Sequence, residues 1–317
     1  MSLRFDPSHW ALILGGSSGF GLATAQKLAR HGMNVAIVHR DRKGAMPAIE
    51  QAFDEIRRTD VGFLSFNLDA LSLEGRAKVL DGLAARLADR QRVRLLLHSI
   101  AFGNLKVLTA PHPSKAQAAS RARGALAARL GIEGERLDAA LAAAFEAGGA
   151  DELAPLIGPA SYDADALLEE EDFTRTVHSM GTSLATWTQD LFARGLFAGD
   201  ARVLGLTSEG NEIAWRGYAA VSAAKVALEA VSRSIAVELA PYGVRSNVIQ
   251  AGVTDSPALR LIPGSERLKA AARLKNPLGR LTSAEDVADF VALLCTDEAR
   301  WVNGALIRVD GGEHVAG

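Results

Sequence analysis

Three residues in the second half of the chain, Ser208, Tyr218 and Lys225, have the types needed to hold or move a proton. Tyr218 and Lys225 are seven apart where a helix begins, so two turns at most separate them and both can face one cleft. A phenol, with an ordinary pKa of about 10, is a poor acid near neutrality. A neighbouring ammonium favours the phenolate, and the pair can then stabilise or protonate an oxygen on which charge develops. The bland alternative is a tyrosine at a helix start beside a lysine whose stem lies on apolar surface.

The first unit of the chain indicates what reaction would place charge on such an oxygen. Trp10 to Gly21 reads WALILGGSSGFG: four apolar residues, Ala11 to Leu14, enter a glycine turn that opens an amphipathic helix stopped by Gly32. In this strand, turn and helix, Gly15 takes a backbone angle closed to other residues, Gly19 lets the main chain approach a pyrophosphate, and Gly21 lets the helix pack on the strand. The free N–H groups of the helix start face the anion, so Gly15, Ser17, Ser18, Gly19, Phe20 and Gly21 are expected to bind a dinucleotide. The spacing is GxxxGxG instead of the usual GxGxxG, which leaves a plain tight turn as the alternative. A nicotinamide that has lost hydride is positively charged, and this too favours the phenolate of Tyr218.

Later strand ends extend that site. Asn34 to Val38 is a second strand followed by His39, Arg40, Asp41, Arg42 and Lys43. An acidic residue there accepts from a ribose 2′-hydroxyl, whereas arginine suits a 2′-phosphate, so His39 and Arg40 favour NADPH, while Asp41 keeps NADH open and a solvated turn is the alternative. Asn67, Leu68 and Asp69 end the third strand beside the adenine position, with capping of the next helix as the competing task for Asp69. VRLLLHSIAFG supplies a fourth strand, ARVLGLTS a fifth, RSNVIQ a sixth and ALIRV a seventh, with helices between. The expected fold is α/β, a doubly wound Rossmann fold with a seven-stranded parallel sheet, over residues 1–317 as one domain. Residues 104–171 interrupt the alternation with Ala-rich helical segments that bury too little to stand alone, and they read as a helical insertion or lid after strand four.

Composition narrows the class. The chain has 317 residues, a net charge of -2, 48% hydrophobic and 23% charged residues. There is no basic footprint for nucleic acid or an anionic membrane and no apolar segment of transmembrane length. The start carries no signal-peptide pattern, so a cytoplasmic protein is expected. Cys295, the one cysteine, lies in FVALLC and reads as a buried small hydrophobe. His31, His112 and His314 lack ligand neighbours at useful spacing, so no metal is expected.

Taken together, the motifs resemble the short-chain dehydrogenase/reductase superfamily over nearly the whole chain: GxxxGxG at Gly15–Gly21, the end of strand four, Ser208, Lys225, and VDGG at Val309–Gly312. The ordinary pattern there is Tyr-x-x-x-Lys, but the residue four before Lys225 is Val221. Tyr218 instead gives Tyr-x6-Lys, similar to the enoyl-(acyl-carrier-protein) reductases of bacterial fatty-acid synthesis, and HSIAFG from His98 to Gly103 resembles the same branch. The resemblance implies NADPH-dependent (alternatively NADH-dependent) reduction of the carbon–carbon double bond of trans-2-enoyl thioesters carried by acyl carrier protein or coenzyme A. It implies Tyr218 on the thioester oxygen with help from Ser208, Lys225 on the nicotinamide ribose, and Asn67 and Leu68 on adenine. Ser99, Ile100 and Ala101 would line the cofactor, Gly252, Val253, Thr254 and Ser256 would meet the nicotinamide amide or phosphate, and the protein would be a homotetramer. The glycine loop is closer to ordinary superfamily members, Ser208 replaces a second tyrosine of the enoyl reductases, His178 stands where an asparagine is common, and the insertion is longer than usual. Reduction of a 3-oxoacyl thioester or another ketone is the competing activity, and a nucleotide-binding protein without turnover is the reading from another class.

Overall fold

Unbroken apolar runs dictate the centre of the molecule, because a parallel sheet covered on both faces has no solvent side for polar residues. The structure, a computed structural model, describes residues 3–110, 113–156, 162 and 167–316, with the backbone alone for 113–119. His112 therefore lies outside the described residues. Strands β1 (His9–Leu14), β2 (Asn34–His39), β3 (Phe63–Asn67), β4 (Arg92–His98), β5 (Phe197–Thr207), β6 (Val244–Ala251) and β7 (Leu306–Val309) form one sheet in the order β3-β2-β1-β4-β5-β6-β7. Every pairing along it is parallel. The order reverses between β1 and β4, and in open sheets of this kind ligands bind at that switch, outside the carboxyl ends of the strands.

Helices cover both faces. On one, Ala11, Ile13, Val35, Ile37, Leu95 and Leu97 pack against α1 (Gly19–Arg30), α2 (Met46–Arg57) and α11 (Ala284–Leu294). On the other, Leu12, Leu14, Val38, Leu96 and Val203 pack against α3 (Leu73–Arg86), α7 (Ser183–Ala193) and α8 (Ala219–Glu238). The strict alternation of these residues along β1 divides the two cores. Ser283 caps α11 in a capping box with Asp286, as its sequence suggests. Ser72, whose hydroxyl accepts from Gly75 N at 3.0 Å, caps α3, so Asp69 does not. Its carboxylate instead closes a turn on Leu71 N at 2.9 Å.

The segment from Glu170 to Leu191, which has the apolar spacing of one long helix, is divided. α6 (Glu170–Val177) passes through a π turn, His178–Thr182, into α7. A Cβ on Gly181 would lie 2.6 Å from Ala224 O, so the turn admits the close approach of α8. After β4 the insertion forms α4 (Pro113–Leu130) and α5 (Gly134–Glu146), whose Ala127, Leu137 and Leu141 share a small core of their own. Asp151 fixes it to Arg273 through two bonds of 2.6 Å. Arg273 belongs to α10 (Ser265–Lys275), which with the short α9 (Pro257–Arg260) follows β6 in a stretch where the sequence pattern gave no helix. Cys295 is buried at 1% exposure, with burial pushing its thiol up to about 12, as expected of a packing residue.

Candidate active site

Pairing register sets the site. Leu14 aligns with Val38 on one side and His98 on the other, so the turns that follow β1, β2 and β4 open at one level. Gly15 has φ +82° and Gly19 φ +53°, both in the left-handed region where glycine carries no Cβ penalty. A Cβ on Gly21 would lie 2.2 Å from Gly15 O, which gives the helix its close seat on the strand. Ser18 is the N-cap of α1 yet makes no side-chain cap bond, so the N–H groups of the first turn stay free for an anion. Ser256 Cβ would stand 3.9 Å from a Cβ on Gly19, which makes these residues neighbours at the glycine turn. These residues fit a dinucleotide pyrophosphate.

At the edge formed by β2 and β3, only some predicted contacts remain free. The His39 ring is buried, its Nδ1 2.9 Å from Asp41 Oδ2 and its face against Phe53, because it is the last inward residue of β2. Asn67 accepts from Asp41 N at 3.0 Å and donates to Asp41 O at 3.1 Å, which occupies its amide in clasping the loop. Leu68 N is held by His39 O at 2.8 Å. Arg40, half-exposed, lies 4.7 Å over the Phe102 ring and 3.4 Å from Asp69 Oδ2, a cation at this edge with Arg42 and Lys43 following in the loop. Ser99 N donates to Leu14 O at 2.8 Å, which holds the Ser99–Ala101 turn at the mouth between β1 and β4.

The catalytic candidates converge at the other side of the switch. Tyr218 is the N-cap residue of α8 and Lys225 lies on its buried face. Lys225 Nζ donates to Leu206 O at 2.9 Å, and burial pulls the ammonium down to about 8 against the opposing charge of Glu229. Burial raises the Tyr218 phenol above its usual range, while the nearby Ser208 hydroxyl draws it back. Ser208 Oγ is buried, and no protein partner meets it at full hydrogen-bond geometry. A buried hydroxyl left so is costly unless a ligand oxygen completes it. Around this group Met180, Val221 and Ala224 are buried, and Leu105, Val177, Trp215 and Ile262 form a half-buried apolar wall.

Several members of the site have no motif to announce them. Gly210 lies against Tyr218, where a Cβ would be 2.4 Å from Cε1, so only glycine lets the Ser208 turn reach the phenol ring. Glu313 accepts from Val253 N at 3.2 Å through both carboxylate oxygens, so that N–H is already engaged by the protein. Gly252 N donates to Val309 O at 3.3 Å and Thr254 Oγ1 to Gly252 O at 3.1 Å, while Ser256 Oγ caps α9. The loop after β6 is therefore braced by its own bonds and by the carboxyl-terminal segment. His98 Nε2 lies 2.8 Å from Ser183 Oγ, and burial, with Lys225 nearby, holds its imidazole down to about 3. His178 is 3.3 Å from Thr182 Oγ1 inside the π turn. His31 bonds Leu3 O and His314 pairs with Glu212, and no group of three metal-binding side chains occurs among the described residues. Nor is any helix among them long and apolar enough to cross a membrane.

Comparison with known proteins identifies the family. A family model described as short chain dehydrogenase matches residues 9–118, and one described as Enoyl-(Acyl carrier protein) reductase matches 132–314. The chain is 36% identical over 115 residues to the cis-4-hydroxycyclohexanecarboxylate dehydrogenase of Sinomonas cyclohexanicum, covering 36% of this chain and 45% of that protein. It is 37% identical over 100 residues to the NADH-dependent enoyl-(acyl-carrier-protein) reductase of Aquifex aeolicus, covering 32% of this chain and 37% of that protein. The chain thus spans about half the length, or less, of these curated relatives. The crystal structure of the Aquifex enzyme shares the fold with a TM-score of 0.69 at 23% identity, over 99% of this chain and 98% of that one. A short-chain dehydrogenase from Bacillus anthracis does so with a TM-score of 0.65 at 20% identity, over 97% of both chains. Matched by these two models over most of its length and with its glycine turn after β1, the chain belongs to the short-chain dehydrogenase/reductase superfamily.

Proposed function

We propose that the chain reduces the carbon–carbon double bond of trans-2-enoyl thioesters with NADPH. One observation carries this reading. The position one turn before Lys225 is Val221, buried at 3% against the apolar cluster, and the phenol that faces the cleft is Tyr218, farther toward the helix start. When bound, the dinucleotide supplies a hydride, whose arrival at C3 of an enoyl thioester moves charge to the thioester oxygen. Tyr218 donates a hydrogen bond to that oxygen, and the Ser208 hydroxyl, which lacks a protein partner, is placed to donate a second. Lys225, on the same helix face two turns on, would add positive charge at this end of α8. Stabilising the enolate oxygen is the catalytic task, because that charge exists only once reduction has begun. The apolar wall of Leu105, Val177, Trp215 and Ile262 suits an acyl chain and excludes water.

Arg40 supports NADPH, since an exposed guanidinium at the end of β2 suits a 2′-phosphate. The insertion, fastened to α10 through Asp151 and Arg273, is read as a wall of the acyl site. Acyl carrier protein or coenzyme A as the carrier, and assembly as a homotetramer, complete the proposal. A second reading rests on Ser208: a serine hydroxyl and a phenol together also polarise a ketone, as in reduction of 3-oxoacyl thioesters. Loss of NADPH absorbance with crotonyl and with acetoacetyl thioesters, followed by mass analysis of the products, decides between them. Saturated product from the crotonyl thioester supports the proposal; turnover of the ketothioester alone assigns the activity to the second reading.

A further inference from the structure

We propose that Glu229 is a positioning residue of this cleft: it fastens the turn bearing Ser208 to the helix bearing Tyr218 and Lys225, and so fixes the gap that receives the reacting oxygen. The inference rests on the reading that Ser208, Tyr218 and Lys225 form the catalytic group. Thr207 Oγ1 donates to Glu229 Oε1 at 2.8 Å, and Asn211 Nδ2 donates to the same oxygen at 2.7 Å. These donors lie on either side of Ser208, so a single carboxylate oxygen holds both ends of the turn.

Helix geometry makes the arrangement effective. Glu229 lies one turn after Lys225 and shares its face of α8. Lys225 grips the main chain of β5 at Leu206 O, and Glu229 grips the next residue and the far end of the turn. On the opposite side Gly210 rests on the Tyr218 ring. The internal bond of the turn, Asn211 N to Ser208 O at 3.1 Å, does not connect it to α8, and Glu212 ties the following residue to Arg308 of β7. Ser208 Oγ and Asn211 Oδ1 are both buried without partners, so neither side chain offers a second hold on the helix through these atoms. A ligand oxygen between Ser208 and Tyr218 is therefore placed by a turn whose distance from α8 depends on Glu229. A misplacement of about 1 Å at such a point costs on the order of a hundredfold in rate.

Glu229→Ala and Glu229→Gln separate the role from general stability, since glutamine keeps the accepting oxygen. For each variant, turnover, KM for both substrates, NADPH affinity by fluorescence, melting temperature, and amide exchange over residues 207–212 are measured against the parent. Glu229→Ala is expected to lose about 10- to 100-fold in kcat while NADPH affinity stays within about twofold, and to exchange faster over 207–212 without a general rise along α8. Glu229→Gln is expected to recover kcat to within about threefold of the parent. Unchanged kcat or unchanged exchange in Glu229→Ala, or equal damage from both variants, overturns the proposal. The ratio to parent is taken on whichever thioester the parent reduces, enoyl or 3-oxoacyl, so loss of the enoyl reading leaves this test standing. If the parent turns over neither, amide exchange alone decides it.

Discussion

The two ends of the central strands treat buried polar groups in opposite ways. Near the amino end of β4 and midway along β5, level with it, Arg94 and Arg202 are buried at 3% and 1% exposure, yet both are supplied with acceptors. Arg94 donates to Asp200 Oδ2 at 2.7 Å, to Asp297 Oδ1 at 2.9 Å and to Cys295 O at 3.0 Å. Arg202 donates to Leu294 O at 2.8 Å, Thr296 O at 3.1 Å and Asp200 Oδ1 at 2.6 Å. Arg245 joins them on Asp200. The two buried guanidiniums thus cap the carboxyl end of α11, where cations oppose the helix dipole. At the carboxyl ends of the strands, by contrast, His39 Nε2, Ser208 Oγ, Asn211 Oδ1 and Gln250 Oε1 are buried without partners. A protein able to satisfy buried arginines at one end has left polar atoms open at the other, the end at which open sheets of this kind bind ligands.

That contrast is sharpest under substitution. Arg202→Met should lower unfolding free energy by about 1–3 kcal/mol, because Leu294 O and Thr296 O lose their side-chain donor while Asp200 keeps Arg94 and Arg245. Denaturant titration measures the loss, and kcat of the folded fraction should be unchanged. Tyr218→Phe should do the reverse: kcat falls by about 10²- to 10³-fold while the melting temperature and NADPH affinity hold. A comparable loss in affinity would break the assignment of Tyr218 to the reacting oxygen.

Acid exposes the same asymmetry. The unfolded chain takes a proton on His98 near 6.5, while the folded chain resists it until about 3, because burial beside Lys225 disfavours the imidazolium. Stability should therefore fall as pH drops below 6.5, by about 1.4 kcal/mol per pH unit from this group. His98→Gln, whose amide reaches the position from which Nε2 meets Ser183, should remove that slope in denaturation curves taken at successive pH values. The smallest effect is expected at the exposed edge: Arg40→Ala should raise KM for NADPH about tenfold with little change for NADH. Equal change for both cofactors would remove Arg40 from the 2′-phosphate.

How much was legible in the chain follows the same division. The sheet was readable because each central strand is an apolar run with a glycine or polar stop, and Ser208, Tyr218 and Lys225 were readable because local spacing places the last two on one helix. Contacts between distant segments were not. Glu313 on Val253 N, Asp151 on Arg273 and Glu229 on Asn211 join residues whose separation carries no periodic signal. The same is true of His39 and Asn67, whose types suit a ligand but whose Nδ1 and side-chain amide, respectively, the fold uses on Asp41. The π turn in 178–182 interrupts an apolar pattern that reads as one helix, because the break serves the approach of α8 at Gly181. α10 was missed despite its Ala, Leu, Arg and Lys content, a composition that favours helix without marking a buried face.

The most direct test uses NADPH deuterated at the transferred position with crotonyl thioester as substrate. Butyryl thioester carrying deuterium at C3, formed by the parent and lost in Tyr218→Phe, is the predicted result. Failure of the parent to label crotonyl thioester, with deuterium appearing instead on the hydroxyl-bearing carbon of a product from acetoacetyl thioester, would contradict enoyl reduction and make Ser208 with Tyr218 a ketone-reducing pair.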